Sequence, residues 1–356
     1  MSASTGAGSG SSGSGGANRG GTYNSSGAGS GSARPARVVW TIRSALEWTQ
    51  QYLAGKGQEN PRLAAQWLLC AATGLERLEL YTNYDQPLLP DELAVLRGGI
   101  KRRLAGEPLQ YILGRAPFRH LELGVRPGVL IPRPETETLV DIVLANCREQ
   151  RAGNGDAGNG DAGNGGAGNV TPGADAGEAE RVLRVLDIGT GSGAIALSLL
   201  QEDPALQLVA TDTCVEAVTL AGENAARLGL DDAGRMQIIQ DDLATSLLAD
   251  AANAGSFDVV VSNPPYVPTA ELANLPKEIA EYEPMLALDG GLDGLDVFRR
   301  LLPQAAVLLK PGGLLACELH EDCLQKAADL CAQEGFIEVG VIQDLTGRER
   351  FITARR

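Results

Sequence analysis

Apolar residues recur with two different periods along the chain, and the change of period divides it into regions. Over residues 38–107 they recur at the spacing of an amphipathic helix. Helix starts are indicated by Asn60-Pro61 and Pro90-Asp91, and helix ends by Gly74 and Gly106. The predicted apolar faces contain Ile42, Leu46 and Leu53 in one helix, and Leu63, Trp67, Leu68 and Cys70 in the next. This region is predicted to form a small helical domain.

The pattern changes beyond residue 116. Residues 117–134 alternate apolar residues with turn residues, which predicts a hairpin or an extended connector, and residues 135–147 return to a helical period. From residue 181 onward, short apolar runs alternate with helical runs, which is typical of a parallel sheet covered by helices and predicts an α/β, Rossmann-like fold. The predicted strands are 182–187, 206–211, 236–239, 257–262, 313–318, 336–341 and 350–354, and two of the predicted helices are 194–202 and 215–228.

Two segments are too poor in apolar residues to form a core. Residues 1–33 are almost entirely Gly, Ser, Ala, Thr and Asn, and residues 151–180 repeat Ala-Gly-Asn-Gly-Asp before fading into Gly and Ala. A calcium-binding β-roll would need a regularly placed apolar residue, which the repeat lacks, so we expect a disordered tail and a flexible insertion. The predicted organisation is a tail at 1–33, a helical domain at 34–116, a hairpin connector and helix at 117–150, an insertion at 151–180 and a Rossmann-like domain at 181–356.

Composition narrows the possible classes of function. The formal net charge is −15, and residues 181–356 contain twenty-seven Asp and Glu against thirteen Lys and Arg. Such a surface repels a phosphate backbone, so direct nucleic-acid binding is not expected, but it tolerates a cationic ligand. The two histidines and six cysteines show no metal-binding or C-x-x-C spacing, which predicts free thiols and no metal site. Neither a secretory signal nor a membrane-length apolar stretch is present, so a cytoplasmic location is expected.

A glycine-rich loop follows the first predicted strand of the Rossmann-like domain and precedes a helix. Glycines allow the backbone to approach a ligand closely at a helix N-terminus. The spacing is G-x-G-x-G rather than the G-x-G-x-x-G of dinucleotide-binding loops, and it therefore favours a nucleoside ligand over NAD. The loop consists of Gly189, Thr190, Gly191, Ser192 and Gly193.

Acidic residues follow the next two predicted strands. Asp212 lies about 20 residues beyond the glycine loop, where a carboxylate accepts hydrogen bonds from ribose hydroxyls. Asp242 follows the third strand and could accept from an adenine amino group, although the adjacent Asp241 could take that role instead. Because the carboxyl ends of parallel strands meet at one edge of a sheet, these residues are expected to share one site with the glycine loop.

The tetrapeptide Asn263-Pro264-Pro265-Tyr266 follows the buried strand predicted at 257–262. An amide or aromatic amino nitrogen is a poor nucleophile because its lone pair is delocalised, so it must be oriented before it can attack a methyl group. The side-chain carbonyl of Asn263 and the main-chain carbonyl of Pro264 could each accept one N–H, while Tyr266 offers an aromatic face to a planar group. The pattern predicts methyl transfer from S-adenosylmethionine to a planar nitrogen, with no base that must titrate first.

With these residues in place, the chain resembles the peptide chain release factor glutamine methyltransferases over residues 38–150 and 181–356. The resemblance also rests on two more specific motifs, Gly106-Glu107-Pro108-Leu109-Gln110-Tyr111-Ile112-Leu113-Gly114 and Leu130-Ile131-Pro132-Arg133-Pro134-Glu135-Thr136-Glu137. It implies a class I methyltransferase domain, with a mostly parallel seven-stranded sheet and a C-terminal antiparallel strand. It further implies a helical domain that recognises the substrate, and methylation of the glutamine in the Gly-Gly-Gln motif of class-1 release factors. We expect the enzyme to be a monomer.

The resemblance also implies how the cofactor is bound. Residues 189–193 would surround the methionine part of S-adenosylmethionine, with Asp212 at the ribose and Asp242 near the adenine. Leu243 stands where relatives often have an aromatic residue beside the adenine, so an aliphatic contact is expected there in place of stacking. Asn263 would contact both the cofactor and the substrate.

Other residues are implied to act on the substrate side. Asn263, Pro264, Pro265 and Tyr266 would hold the glutamine amide. Arg133, Glu135 and Thr136 would shape the edge of the site or the domain junction, with a purely structural role as the alternative. Arg350, after Asp344 and Gly347, matches a family ending.

The residues alone leave other functions open. Many DNA and RNA amino-group methyltransferases share the Asn-Pro-Pro-Tyr turn, but they would need a basic substrate face that the acidic domain does not show. A non-catalytic cofactor-binding module would have no need of the tetrapeptide. A nicotinamide-dependent oxidoreductase is disfavoured by the glycine spacing and by the lack of a plausible proton donor.

Overall fold

The computed structural model describes residues 39–152 and 181–356. The tail predicted at 1–33 and residues 153–180 of the predicted insertion lie outside the described residues. All the elements named below belong to one unit, Trp40–Arg356.

Five helices form the first part of this unit: α1 (Ile42–Gly55), α2 (Pro61–Thr73), α3 (Arg77–Thr82), α4 (Pro90–Leu104) and α5 (Leu109–Leu113). Helix α1 begins after Thr41, whose hydroxyl accepts from the backbone N–H of Ser44 at 3.3 Å. Proline occupies the first position of α2 and of α4, where no intrahelical donor is lost. Gly74 ends α2 in the left-handed conformation, with φ of 72°. The predicted starts and ends of these helices are confirmed.

The predicted apolar face of α1 is confirmed, whereas that of α2 is partly wrong. Leu63 is 40% exposed, because the neighbouring helices cover a face of α2 that is displaced from it. That buried face consists of Ala64, Ala65, Leu68, Leu69 and Cys70. Trp67 is half-buried, with the guanidinium groups of Arg77 and Arg115 at 5.8 and 5.7 Å from its ring centre. Its ring therefore borders the core and also makes cation–π contacts at the surface.

The connector contains β1 (Arg115–Phe118), β2 (Leu121–Gly124) and α6 (Glu137–Ala152). The two strands form an antiparallel hairpin, as predicted, but β1 begins before the predicted boundary at 117. Helix α6 extends beyond residue 147 into the first residues of the predicted insertion. Its last turn is held by Arg151, which donates to Asp203 at 2.7 Å. The sequence did not reveal this extension because the ion pair joins residues that are distant along the chain.

Seven strands form a mostly parallel sheet. They are β3 (Leu183–Ile188), β4 (Leu206–Asp212), β5 (Met236–Gln240), β6 (Phe257–Ser262), β7 (Leu309–Glu318), β8 (Ile337–Gln343) and β9 (Glu349–Arg355). The strand order is β5-β4-β3-β6-β7-β9-β8, in which β3 to β7 are mutually parallel and β9 is antiparallel to both of its neighbours. The predicted sheet with a C-terminal antiparallel strand is confirmed. Because β4 and β6 flank β3, the direction of strand addition reverses there, which opens a crevice at the carboxyl ends.

Helices cover both faces of this sheet. Besides α6, they are α7 (Ala194–Glu202), α8 (Val215–Leu228), α9 (Thr245–Leu248), α11 (Asp296–Leu308) and α12 (Leu324–Gln333). The short helix α10 (Lys277–Ala280) buries none of its residues. Successive residues of β6 point to opposite faces, so Val259 and Val261 pack in the core with α6 and α7, and Val260 packs in the core with α11 and α12. Every residue of β6 is buried, which explains its three successive valines, and its buried Asp258 accepts from Arg181 and Lys310.

Two further expectations from the sequence concern the cysteines and membrane-spanning segments. All six cysteines are free and five are buried, as predicted, while Cys214 is half-buried. In the part of the chain that the structure describes, no helix combines the length and the apolar character needed to cross a membrane.

Asn224, on α8, joins the hairpin to the sheet domain. Its Oδ1 accepts from the N–H of Gly124 at 2.7 Å, and its Nδ2 donates to the carbonyl oxygens of Gly124 at 3.1 Å and Ser192 at 2.8 Å. The side chain is buried, so its polar atoms depend on these partners. Because Ser192 belongs to the glycine loop, one side chain holds the connector against that loop.

Replacement of Asn224 by Ala should therefore lower the free energy of unfolding by about 1–3 kcal/mol, since one buried and two half-buried backbone groups lose their partner. Urea unfolding followed by circular dichroism measures this change. The control is Glu223→Ala, which removes only an exposed ion pair with Arg126 and should shift the free energy by less than about 0.5 kcal/mol. Equal effects of the two substitutions would show that Asn224 does not join the two parts.

Candidate active site

The loop between β3 and α7 brings backbone atoms to the carboxyl edge of the sheet. Gly191 and Gly193 have φ of 57° and 84°, in the left-handed region that favours glycine. A Cβ on Gly193 would lie 2.9 Å from the side chain of Leu197, so glycine allows the loop to pack directly on α7. The loop therefore approaches the crevice without side chains that would fill it.

A cavity of about 450 Å³ lies at this edge, a volume within the ~300–1,000 Å³ range of ligand pockets. The predicted site residues on its wall are Gly189, Thr190, Gly191, Ser192, Asp212, Asp242, Leu243, Asn263, Pro264 and Pro265. Gly193 and Tyr266 do not line it: Gly193 is the N-cap of α7, and Tyr266 lies behind the wall. The structure thus brings together residues from four separate strand ends, as the parallel arrangement predicted.

Asp212 ends β4 and holds the glycine loop. Its Oδ2 accepts from the N–H of Gly191 and its Oδ1 from the N–H of Cys214, both at 2.9 Å. Burial raises the pKa of Asp212, and the N–H donors of Cys214 and Gly191 partly offset this effect. Each carboxylate oxygen has a second lone pair, so Asp212 can hold the loop and still accept hydrogen bonds from a ligand in the cavity.

The structure separates the two acidic residues after β5. The Oδ2 of Asp241 accepts from the backbone N–H and the hydroxyl of Ser246, at 2.8 and 2.7 Å, and so faces the short helix α9. Asp242 lines the cavity, and its Oδ2 accepts from Arg300 at 2.6 Å. Leu243 lines the cavity beside it. Of the two carboxylates, the one on the wall is that of Asp242.

The tetrapeptide begins where β6 ends. The Nδ2 of Asn263 donates to the hydroxyl of Thr136 at 3.1 Å, and Pro264 is buried. The hydroxyl of Tyr266 donates to Glu318 at 3.1 Å. Burial and the adjacent Glu318 charge raise the pKa of Tyr266, so its hydroxyl remains protonated and acts as a donor. The Tyr266 hydroxyl thus ties the turn to the carboxyl end of β7.

A second loop, residues 286–296, packs on the far side of this turn. The N–H of Val267 donates to the carbonyl of Leu288 at 2.9 Å, and the N–H of Gly290 donates to the carbonyl of Val267 at 2.8 Å. A Cβ on Gly290 would lie 2.7 Å from the Cα of Tyr266, so the two backbones touch. The tetrapeptide is therefore held rigidly by main-chain contacts on one side and by side-chain hydrogen bonds on the other.

Comparisons with known proteins agree with this division of the chain. Residues 44–114 match the model of the PrmC N-terminal domain, and residues 177–322 match that of the methyltransferase small domain. The release factor glutamine methyltransferase of Geobacter sulfurreducens is 41% identical over 317 residues, covering 89% of this chain and 97% of that protein. The enzyme of the same name from Moorella thermoacetica is 40% identical over 317 residues, covering 89% and 99%.

The chain belongs to the release factor glutamine methyltransferase family. The predicted resemblance and the predicted class of enzyme, a methyltransferase that uses S-adenosylmethionine, are confirmed. Among solved structures, the ribosomal protein L11 methylase of Lactobacillus delbrueckii subsp. bulgaricus is similar at 19% identity, with a TM-score of 0.38 over 65% of this chain and 83% of that one. The family assignment follows from the identity and coverage of the sequence relatives alone.

Of the two motifs that indicated this family, the second lines the cavity, and the first contacts Val129 on the cavity wall. The hydroxyl of Tyr111, in α5, donates to the carbonyl of Val129 at 2.6 Å. Arg133 lines the cavity and donates at 2.6 Å to Glu283, whose side chain is almost wholly buried and also accepts from the N–H of Ile131 at 3.3 Å. The motifs thus tie the helical region to the segment that follows the tetrapeptide. Arg133 and Thr136 line the cavity and also bond across its parts, whereas Glu135 does not line it.

Two buried acids at the ends of strands were missed by the sequence reasoning. Glu318 was identified only as a strand residue, although it bonds both Thr136 and Tyr266. Asp187 is fully buried at the end of β3 and accepts from the hydroxyl of Thr190 at 2.7 Å, which holds the glycine loop from below. The sequence did contain one signal that could have identified them, because each is an acidic residue at the end of an otherwise apolar strand.

Substitution of Asp187 by Asn should change how stability depends on pH. Burial raises the pKa of Asp187 to about 7 from its usual 3.8, so the folded protein holds a proton that the unfolded chain has lost. The contribution to stability is thus complete below pH 4 and is lost as the pH rises to 7. Relative to the wild type, the variant should therefore gain about 1.4 kcal/mol per pH unit across this window. Urea unfolding at several pH values measures the difference, and parallel curves would contradict the assignment.

Proposed function

We propose that this enzyme transfers the methyl group of S-adenosylmethionine to the side-chain amide nitrogen of the glutamine in the Gly-Gly-Gln motif of class-1 peptide chain release factors. The observation that carries the proposal is the position of Asn263 and Pro264 on the wall of the cavity that the glycine loop and Asp212 also line. The two family members compared above are both named as methyltransferases of a release factor glutamine.

The wall of the cavity has the donors and acceptors that the cofactor requires. The backbone of residues 189–192 would surround the methionine part, with Gly193 behind it at the start of α7. Asp212 would accept from the ribose hydroxyls through its remaining lone pairs. Asp242 would accept from the adenine amino group while it stays paired with Arg300, and Leu243 would give the adenine an aliphatic contact.

The reaction then depends on orientation. When bound, S-adenosylmethionine supplies an electrophilic methyl group on a sulfonium. The Oδ1 of Asn263 and the carbonyl of Pro264 would each accept one N–H of the glutamine amide, turning its nitrogen toward that methyl group. Pro265 stiffens the turn, and Tyr266 fixes it from behind through Glu318. As the new C–N bond forms and the S–CH₃ bond breaks, S-adenosylhomocysteine would be left as the product and the nitrogen would release one N–H proton to solvent, so no histidine has to act as a base beforehand.

The helical region at 34–116 would recognise the release factor. The helical region contacts residues 278–282, which follow the tetrapeptide along the chain. Arg103 donates to Glu278 at 2.6 Å, and Tyr282 donates to the carbonyl of Ala105 at 3.2 Å. On its surface, Trp48 is 45% exposed and stacks on Tyr52 with ring centres 4.7 Å apart. Exposed aromatic residues are typical of surfaces that bind proteins. A cytoplasmic location, a monomeric state and the absence of direct nucleic-acid binding stay predictions.

Incubation with labelled S-adenosylmethionine tests the choice of substrate directly. A purified class-1 release factor, DNA and RNA would be offered together, and the acidic surface of residues 181–356 predicts that label enters the release factor. Label in the nucleic acid alone would support an amino-group methyltransferase instead. Cofactor binding without any transfer would favour a non-catalytic module.

Replacement of Asn263 by Ala should lower kcat by about 100-fold or more, because an acceptor that orients the reacting nitrogen is lost. The dissociation constant of S-adenosylmethionine, measured by calorimetry, should stay nearly unchanged. Asn274→Ala is the matched control, since Asn274 is an exposed asparagine that follows the tetrapeptide along the chain. Unchanged turnover in the Asn263 variant would contradict the role assigned to its carbonyl.

A further inference from the structure

One carboxylate connects the two sides of the tetrapeptide. Glu318, at the carboxyl end of β7, is fully buried. Its Oε2 accepts from the hydroxyl of Thr136 at 2.6 Å, and its Oε1 accepts from the hydroxyl of Tyr266 at 3.1 Å. Thr136 in turn lies 3.1 Å from the Nδ2 of Asn263. The four side chains form one continuous chain of hydrogen bonds across three separate elements.

The direction of each bond in this chain follows from the ability of its members to donate. Both carboxyl oxygens of Glu318 accept, Oε2 from the hydroxyl of Thr136 and Oε1 from the hydroxyl of Tyr266. Burial raises the pKa of Glu318, and these two hydroxyls oppose that shift. The single proton of the Thr136 hydroxyl is therefore committed to Glu318. Only lone pairs of Thr136 then remain for Asn263, which must present its NH₂ group to Thr136 and its Oδ1 to the opposite side.

We propose that Glu318, acting through Thr136, sets the amide of Asn263 so that its carbonyl oxygen faces the substrate, and is thus a positioning residue for methyl transfer. The proposal rests on the proposed function, in which that oxygen accepts an N–H of the substrate amide. If the Asn263 amide were reversed, its NH₂ group would face the N–H groups of the substrate and repel them. A rotation of about 180° in one side chain therefore separates a productive site from an unproductive one.

If Glu318 had a purely structural role, an apolar side chain would be expected at this position. A buried carboxylate carries a desolvation cost, and an apolar residue of similar volume is often as stable or more so. The carboxylate is distinguished by its two acceptor oxygens, which bind the hydroxyls of Thr136 and Tyr266 at once. This arrangement also explains why Tyr266 directs its hydroxyl away from the cavity.

The experiment compares Thr136→Ser, Thr136→Val, Glu318→Gln and the Thr136→Val/Glu318→Gln double variant of the full chain. The readouts are kcat and KM for a release factor, the dissociation constant of S-adenosylmethionine and the melting temperature. Thr136→Val has nearly the same shape but no hydroxyl, and Glu318→Gln introduces a donor that can reverse the chain of hydrogen bonds. Thr219→Val is the control, because the Thr219 hydroxyl bonds only the carbonyl of Val215 within its own helix.

We expect Thr136→Val and Glu318→Gln each to lower kcat by about 10- to 100-fold, with cofactor affinity preserved. Thr136→Ser should retain most of the activity because it keeps the hydroxyl. The double variant should be no slower than the slower single variant, since both act through one amide.

Wild-type-like activity in Thr136→Val, equal losses in Thr136→Ser and Thr136→Val, or losses that multiply in the double variant would overturn the proposal. If Glu318→Gln fails to fold, the comparison of Ser with Val at position 136 decides alone. Failure of the wild type to methylate any release factor would instead overturn the proposed function, so the two failures are distinguishable.

Discussion

The buried carboxylate of Glu318 is the constraint on which the geometry of the site depends. It lies at the end of a central strand and accepts from one hydroxyl of the connector and one of the tetrapeptide. Because a buried carboxyl group needs hydrogen-bond partners, any displacement of the connector or of the turn leaves a buried polar group without them. The site is therefore defined by the mutual position of three elements rather than by any one of them.

The remaining contacts keep these three elements in place. Asn224 holds the hairpin to the glycine loop, Asp212 and Asp187 hold that loop from two sides, and Glu283 holds Arg133 against the segment that follows the tetrapeptide. Each contact joins residues from different parts of the chain through a buried or half-buried polar group. The cavity is thus preformed, which suits a reaction that depends on orienting a weak nucleophile.

Local sequence patterns predicted most of the fold, since strand and helix periods are set by burial of one or two faces. The limits of α7 and α8 agree with the structure, and those of six of the seven strands agree within two residues, whereas β7 begins at Leu309, four residues before its predicted start. Strand ends also predicted which residues would meet, because parallel strands deliver their carboxyl ends to one edge. Burial of Leu63 was predicted wrongly, since several faces of α2 are apolar and only the tertiary packing selects one. The hydrogen bonds of Glu318, Asp187 and Tyr266 were not predicted because nothing in the local sequence distinguishes a surface acid from a buried one that pairs across the fold.

The central claim, that the tetrapeptide orients a glutamine amide for methyl transfer, is tested most directly by the position of the product methyl group. Tandem mass spectrometry of a class-1 release factor, after incubation with the enzyme and S-adenosylmethionine, locates this group on a single residue. The geometry predicts one methyl group, on the side-chain amide nitrogen of the glutamine in the Gly-Gly-Gln motif. A methyl group on any other residue, or a release factor left unmodified while the enzyme still binds its cofactor, would contradict the account.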